Sequence, residues 1–127
     1  IRRFHEAKET GAPSVTVWGS GTPRREFLFV DDLAEATIHT LEHYSNEMHL
    51  NCGTGEDVTI AELAGLVAET VGYAGELVFD LSKPDGTPRK LLNVERIKAL
   101  GWEPRTDLKS GLACAYRDFL AGGGRAR

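Results

Sequence analysis

Cysteine, methionine and long apolar stretches are all scarce in this sequence. Its only cysteines are Cys52 and Cys114, and its only methionine is Met48. Two cysteines cannot build a disulfide framework or a four-thiolate zinc set, which suits a reducing compartment and points to a cytoplasmic protein. No apolar run approaches the roughly 20 residues of a membrane helix, and no charged leader precedes an apolar stretch. Membrane and secretory roles are therefore not expected. Cationic excess is missing as well: 15 Lys and Arg against 19 Asp and Glu leave a charge of −4, the wrong sign for a general nucleic-acid binder. At 127 residues and 41% hydrophobic, the chain has the composition of a globular stretch able to bury a core. A small molecule or another protein remains as its partner.

An initiator methionine is also absent. The first residues, Ile1 to Lys8, read as a helix stopped by Gly11, Ala12 and Pro13, yet nothing precedes Ile1 to cap its first turn. That is the expectation for a piece of a longer chain. Charge is unevenly spread: residues 1–64 carry 5 basic and 11 acidic side chains, residues 65–127 carry 10 and 8. Most of this reads as solvated surface of two signs.

Periodicity then predicts short strands alternating with helices, an α/β pattern. Val15 to Trp18 reads as a strand ending in Gly19-Ser20-Gly21, and Phe27-Leu28-Phe29-Val30 as a buried strand. Asp31 or Asp32 is the expected N-cap of a helix spaced by Leu33, Ala34, Ile38 and Leu41 and reaching about Tyr44. His49-Leu50-Asn51 reads as a further strand before Gly53-Thr54-Gly55. Thr59 and Glu62 form a capping box ahead of Ile60, Leu63, Ala64, Val67 and Val71, with Gly72 as the left-handed stop. Leu77 to Phe79 is a strand and Ser82 to Pro88 a loop. Asn93 caps a short helix stopped by Gly101, and Asp107 opens a final helix with Leu108, Leu112, Ala115, Tyr116 and Phe119 on one face. Residues 121–127 read as a flexible tail.

Neither Gly-x-Gly triplet makes a dinucleotide fingerprint. Val58 stands at the third-glycine position after Gly53-Thr54-Gly55, and Gly19-Ser20-Gly21 runs into Thr22 and Pro23 rather than a helix, so simple turns are expected. His39 and His43 lie four apart, but Thr40 stands where a zincin would carry glutamate, so surface histidines are expected rather than a metal site. No G-x-S-x-G elbow occurs, and no acid–base constellation or metal set emerges. A basic inventory is more informative. Trp18 precedes a glycine turn and then Arg24 and Arg25, while a proline-braced loop presents Lys83, Asp85, Arg89 and Lys90. Arginine forks match phosphate oxygens, an aromatic face stacks on a base or sugar, and a carboxylate accepts from hydroxyls or base edges. These are the groups that a sugar carried on a nucleoside diphosphate requires. A wet basic loop beside a half-buried Trp is the competing reading from spacing alone.

The stretches Arg2-Arg3-Phe4-His5-Glu6-Ala7, Val17 to Asp32, Gly53-Thr54-Gly55 and Ser82 to Leu92 resemble the GDP-L-fucose synthases, GDP-4-keto-6-deoxy-mannose epimerase/reductases of the extended short-chain dehydrogenase family. The resemblance runs from Arg2 to about Leu120 and implies a fold. The chain would be the C-terminal substrate-binding part of a Rossmann-type α/β enzyme, with the N-terminal dinucleotide-binding half missing and residues 1–120 forming the GDP-sugar-binding region. It implies roles for Arg3, Trp18, Arg25, Asp85 and Lys90 in binding a GDP-sugar. Catalytic residues and the NADP site would lie in the other half, leaving this stretch inactive alone; the complete enzyme would be a homodimer. Phe29 stands where the family commonly has His, Cys52 where it has Val, and Asn93 where it has Asp. Another sugar-nucleotide epimerase or dehydratase, or a non-catalytic nucleotide-sugar-binding module, is the alternative.

Overall fold

Helix α1 (Arg2–Thr10) ends where Gly11 adopts a left-handed backbone, φ 63°, and its N-cap, Ile1, makes no side-chain cap bond. The computed structural model describes residues 1–123. After α1 the chain forms β1 (Ser14–Trp18), the two-residue β2 (Arg24–Arg25), α2 (Val30–His43), β3 (Val58–Thr59) and α3 (Ile60–Val71). It continues through β4 (Glu76–Asp80), β5 (Arg89–Lys90), α4 (Glu95–Ala99) and α5 (Leu108–Asp118), closing on a π-type turn, Phe119–Gly123. Strands β1 and β4 pair in parallel, Ser14 opposite Glu76 through Trp18 opposite Asp80. A second small sheet has the order β3-β2-β5, antiparallel between β2 and β3 and parallel between β2 and β5.

Two cores result. Phe4, Ala7, Val15, Ala64, Val67, Val71, Tyr73 and Tyr116 join α1, β1, α3 and α5, with the Phe4 and Tyr73 rings edge to face at 5.9 Å. Ala36, Val94, Ile97 and Trp102 form the other, packed by Leu28, Leu50 and Cys52. The predicted capping box is present: Glu62 N–H donates to Thr59 Oγ1 at 3.0 Å, and Thr59 N–H to Glu62 Oε2 at 2.7 Å. Gly72 closes the helix at φ 74°. Asp107 caps α5 as expected, accepting from Ser110 N–H at 2.9 Å.

Four expectations need correction. Phe27 to Phe29 is not a buried strand; it is an extended connector, Phe27 is 37% exposed, and Val30 already belongs to α2. These rings and Leu28 line a cleft with Leu63, Leu108, Gly111 and Leu112 instead of pairing backbone to backbone. The N-cap of α2 is Phe29, with Asp31 and Asp32 inside its first turn. Asp32 is buried with its carboxylate accepting from Thr106 N–H at 3.0 Å, and Ala36, one turn on, is buried as well. Leu33, Ile38 and Leu41, which spaced the helix, are exposed. His49-Leu50-Asn51 is no strand: Arg96 donates to His49 C=O and Asn51 Nδ2 to Asn93 C=O, side-chain bonds in place of a ladder. Finally, α4 starts one residue late, at Val94 as N-cap, although Asn93 Oδ1 still accepts Glu95 N–H at 2.9 Å. Residues 121–123 of the expected tail complete the terminal turn, and 124–127 lie outside the described residues.

Candidate functional site

Both Gly-x-Gly turns hold an anion, and in each case the anion is a carboxylate of the chain itself. At Gly19-Ser20-Gly21, Asp85 accepts from Ser20 N–H at 2.8 Å and from Ser20 Oγ at 2.6 Å. These bonds hold the Asp85 carboxyl below the usual carboxylate range, the Ser20 hydroxyl contributing most. Gly19 has φ 82°, and a Cβ there would collide with Asp85 Oδ1, so the turn needs glycine for backbone and for space. At Gly53-Thr54-Gly55, Glu26 accepts from Gly55 N–H at 2.6 Å, from Thr54 Oγ1 at 3.3 Å, and from Leu92 N–H at 3.0 Å. A cofactor phosphate would have to displace these carboxylates.

The candidate substrate residues fall into neighbouring groups. Arg3 projects from α1 and donates to Thr16 C=O at 2.9 Å; it lines a cleft with Trp18, Ile60 and Leu63. Trp18, at the end of β1, is 67% exposed, a high value for so large a ring, and Lys83 Nζ lies 5.9 Å from its centroid. Asp85 belongs to the same loop as Lys83 and is latched directly after Trp18, so the loop and the aromatic face are held together. Arg25 is half-buried, donates to Arg24 C=O at 2.7 Å and lines a cavity of about 390 Å³ with Thr54, Asp57 and Thr106. Lys90 is exposed and stands directly opposite Arg25 in the β2–β5 pairing. Arg25 Nη2 also lies 3.1 Å from where a Cβ of Gly86 would sit, which brings it to the Asp85 loop. Arg3 and Trp18 share one cleft, and Arg25 lines another. The loop carrying Lys83, Asp85 and Gly86 runs between them.

Sequence reasoning missed the groups that hold this arrangement. Asp57 has a side chain only 3% exposed and takes Arg24 Nε at 2.8 Å and Arg89 Nε at 2.5 Å. Hydrogen bonds from Arg89 and then Arg24 hold its carboxyl below the ordinary range. Its partners lie 33 and 32 positions away, so no local pattern marks it. Ser20 and Glu26 were equally silent. His39 and His43 stack at 4.3 Å, His39 Nε2 lying 2.9 Å from Leu100 C=O. Among the described residues no group of three or more His, Cys, Asp or Glu could hold a metal ion. No helix there is long and apolar enough to cross a membrane.

Comparison with known proteins gives this geometry its context. Residues 1–53 match the NAD dependent epimerase/dehydratase family. The chain is 57% identical over 120 residues to a probable GDP-L-fucose synthase 1 of Oryza sativa subsp. japonica, covering 94% of this chain and 37% of that protein. It is 53% identical over 137 aligned positions to the GDP-L-fucose synthase of Escherichia coli (strain K12), covering 100% and 42%. The crystal structure of a GDP-L-fucose synthetase from Naegleria fowleri bound to NADP superposes with a TM-score of 0.90 at 25% identity, over 99% of this chain and 40% of that one. The chain thus spans about two-fifths of the length of the curated relatives it matches. Rossmann-type architecture, α/β content and sequence agree: the chain is similar to the GDP-L-fucose synthases over this part of their length, and its first 53 residues match the NAD dependent epimerase/dehydratase family.

Proposed function

We propose that this chain forms the GDP-sugar-binding part of an NADP-dependent GDP-4-keto-6-deoxy-D-mannose 3,5-epimerase/4-reductase. The observation that carries the reading is the pairing of Arg25 with Lys90 across β2 and β5, two cations of different type side by side on one face. Such a pair suits a diphosphate: the arginine forks onto oxygens of one phosphate and the lysine supplies a compact charge to the other. The exposed Trp18 ring, with Arg3 in the same cleft, offers a stacking surface for a flat base or a sugar face. Asp85 keeps its loop against that surface, and its oxygens retain lone pairs for ligand hydroxyls beyond those taken by Ser20. NADPH would supply the hydride for reduction at C4. The two Gly-x-Gly turns are taken by Asp85 and Glu26, and Tyr44, Tyr73 and Tyr116 are followed four residues on by Met48, Leu77 and Leu120 rather than Lys. The chain's part is accordingly binding and orientation, with the chemistry and the cofactor served by other residues. Cytoplasmic location and a homodimeric complete enzyme belong to the same proposal.

Titration of the 127-residue chain with GDP tests the reading. Removing one charge-assisted fork in Arg25→Ala costs roughly 1.5–3 kcal/mol of binding, about ten- to a hundredfold in affinity. Equal affinity of both proteins, with equal melting curves, would remove Arg25 from the site. A chain that oxidised NADPH with the 4-keto sugar nucleotide would overturn the assignment of catalysis elsewhere.

A further inference from the structure

Strands β2 and β5 are only two residues long, too short to keep their register by backbone pairing alone. Side-chain bonds hold both ends. On the entry side, the register partners Arg24 and Arg89 converge on the two oxygens of one carboxylate, Asp57, and Arg24 Nη2 also donates to Asp57 C=O at 2.8 Å. On the exit side, Glu26 follows Arg25 and binds Leu92 N–H, two residues after Lys90. Arg25 and Lys90 are therefore bracketed; strand alternation starts their side chains on the face opposite Arg24 and Arg89, and the Arg25 side chain lines the same cavity as Asp57. Asp57 offsets one of the two guanidinium charges and Glu62 Oε2 lies 3.9 Å from Arg24 Nη1, while Arg25 and Lys90 make no ion pair with a carboxylate among the described residues.

We infer that Asp57 is a positioning residue of the diphosphate site, clamping Arg24 and Arg89 so that Arg25 and Lys90 stand paired toward the ligand. The inference rests on the reading that Arg25 and Lys90 take a GDP-sugar. Asp57 touches no ligand in this account. A carboxylate with two guanidinium partners fixes both strands in one geometry, which lowers the ordering cost when a diphosphate arrives. It also offsets part of the charge of Arg24 and Arg89, which leaves Arg25 and Lys90 as the pair without a carboxylate to displace.

The test uses the 127-residue chain, with GDP and guanosine titrated by NMR against wild type, Asp57→Asn, Arg89→Lys and Arg25→Ala. Arg89→Lys keeps the charge but loses the Nε donor to Asp57, and Arg89 is exposed enough that the change should not unfold the chain. The expected result is a roughly tenfold loss of GDP affinity in Asp57→Asn and Arg89→Lys with guanosine affinity unchanged, the split of a phosphate-positioning role. Exchange of the Arg24 amide, bonded to Pro88 C=O at 2.8 Å, should speed up in both variants. If Arg25→Ala weakens GDP but neither clamp variant does, the inference is overturned and the binding reading stands. Equal proportional losses of GDP and guanosine would also overturn it, as a general structural effect. If Arg25→Ala leaves GDP binding intact, or wild type binds no GDP, the binding reading itself fails and the inference with it. Should Asp57→Asn not fold, Arg89→Lys decides: unchanged Arg24 exchange or wild-type GDP affinity in that variant refutes the clamp.

Discussion

Replacing Gly19 by alanine separates backbone strain from the latch that holds the loop of residues 82–88. Gly19 and Gly11 are both left-handed, at φ 82° and 63°. Alanine in that region costs roughly 1–2 kcal/mol at either position. Around Gly11 no heavy atom lies within 4 Å of the added Cβ, so strain is the whole effect. At Gly19 the Cβ would collide with Asp85 Oδ1 and sit 3.4 Å from its Cγ. A carboxylate at the end of a short side chain can swing aside, but only by leaving Ser20 N–H and Ser20 Oγ. Urea unfolding should therefore place Gly11→Ala and Gly19→Ala within about 1 kcal/mol of each other, because the lost latch is solvent-exposed. Hydrogen exchange should differ sharply: the Ser20 amide loses its acceptor in Gly19→Ala and keeps it in Gly11→Ala. GDP affinity should fall only in Gly19→Ala, since the freed loop carries Lys83 away from the Trp18 ring. Equal protection of Ser20 in the two variants would refute the latch.

Two further outcomes follow from the same bonds. Thr59→Ala removes the acceptor of Glu62 N–H at the start of α3 and should cost about 1 kcal/mol in urea unfolding, with no change in GDP affinity; a loss above about 2 kcal/mol would mean the side chain does more than cap. Acid should destabilise the chain in a definite direction. Asp57, Glu62, Asp85 and Asp107 are all held below their ordinary values, by Arg89 and Arg24, by Thr59, by Ser20 and by Ser110 respectively. Their contribution is complete above the unfolded carboxylate values near pH 4 and is lost as pH falls through the lower folded values. The urea midpoint should drop steadily below about pH 4, and a midpoint that held constant down to pH 2.5 would refute the assignment.

Much of the architecture was readable in the sequence because it rests on local physics. The capping box of Thr59 and Glu62, the Asp107 cap, and the left-handed stops at Gly11 and Gly72 each depend on residues within one helical turn. So did the loop from Ser82 to Pro88, where two prolines and a glycine forbid a regular element. The candidate residues Arg3, Trp18, Arg25, Asp85 and Lys90 were visible as a chemical inventory and through their family resemblance. Their grouping was not. Phe27 to Phe29 reads as a strand until α3 and α5 offer its side chains a cleft, and Asp32 reads as a candidate N-cap of α2 until its carboxylate is seen to take Thr106 N–H. These outcomes turn on bonds between residues 74 positions apart in the case of Asp32, and 65 apart in the Asp85–Ser20 latch. Caps and turn residues thus determined where α1 stops, where α3 begins and ends, and where α5 begins. Which carboxylate neutralises which arginine, and so which cations are left to meet a ligand, was decided only when the fold brought Asp57, Arg24 and Arg89 together, because a charge's partner is set by distance in space and not along the chain.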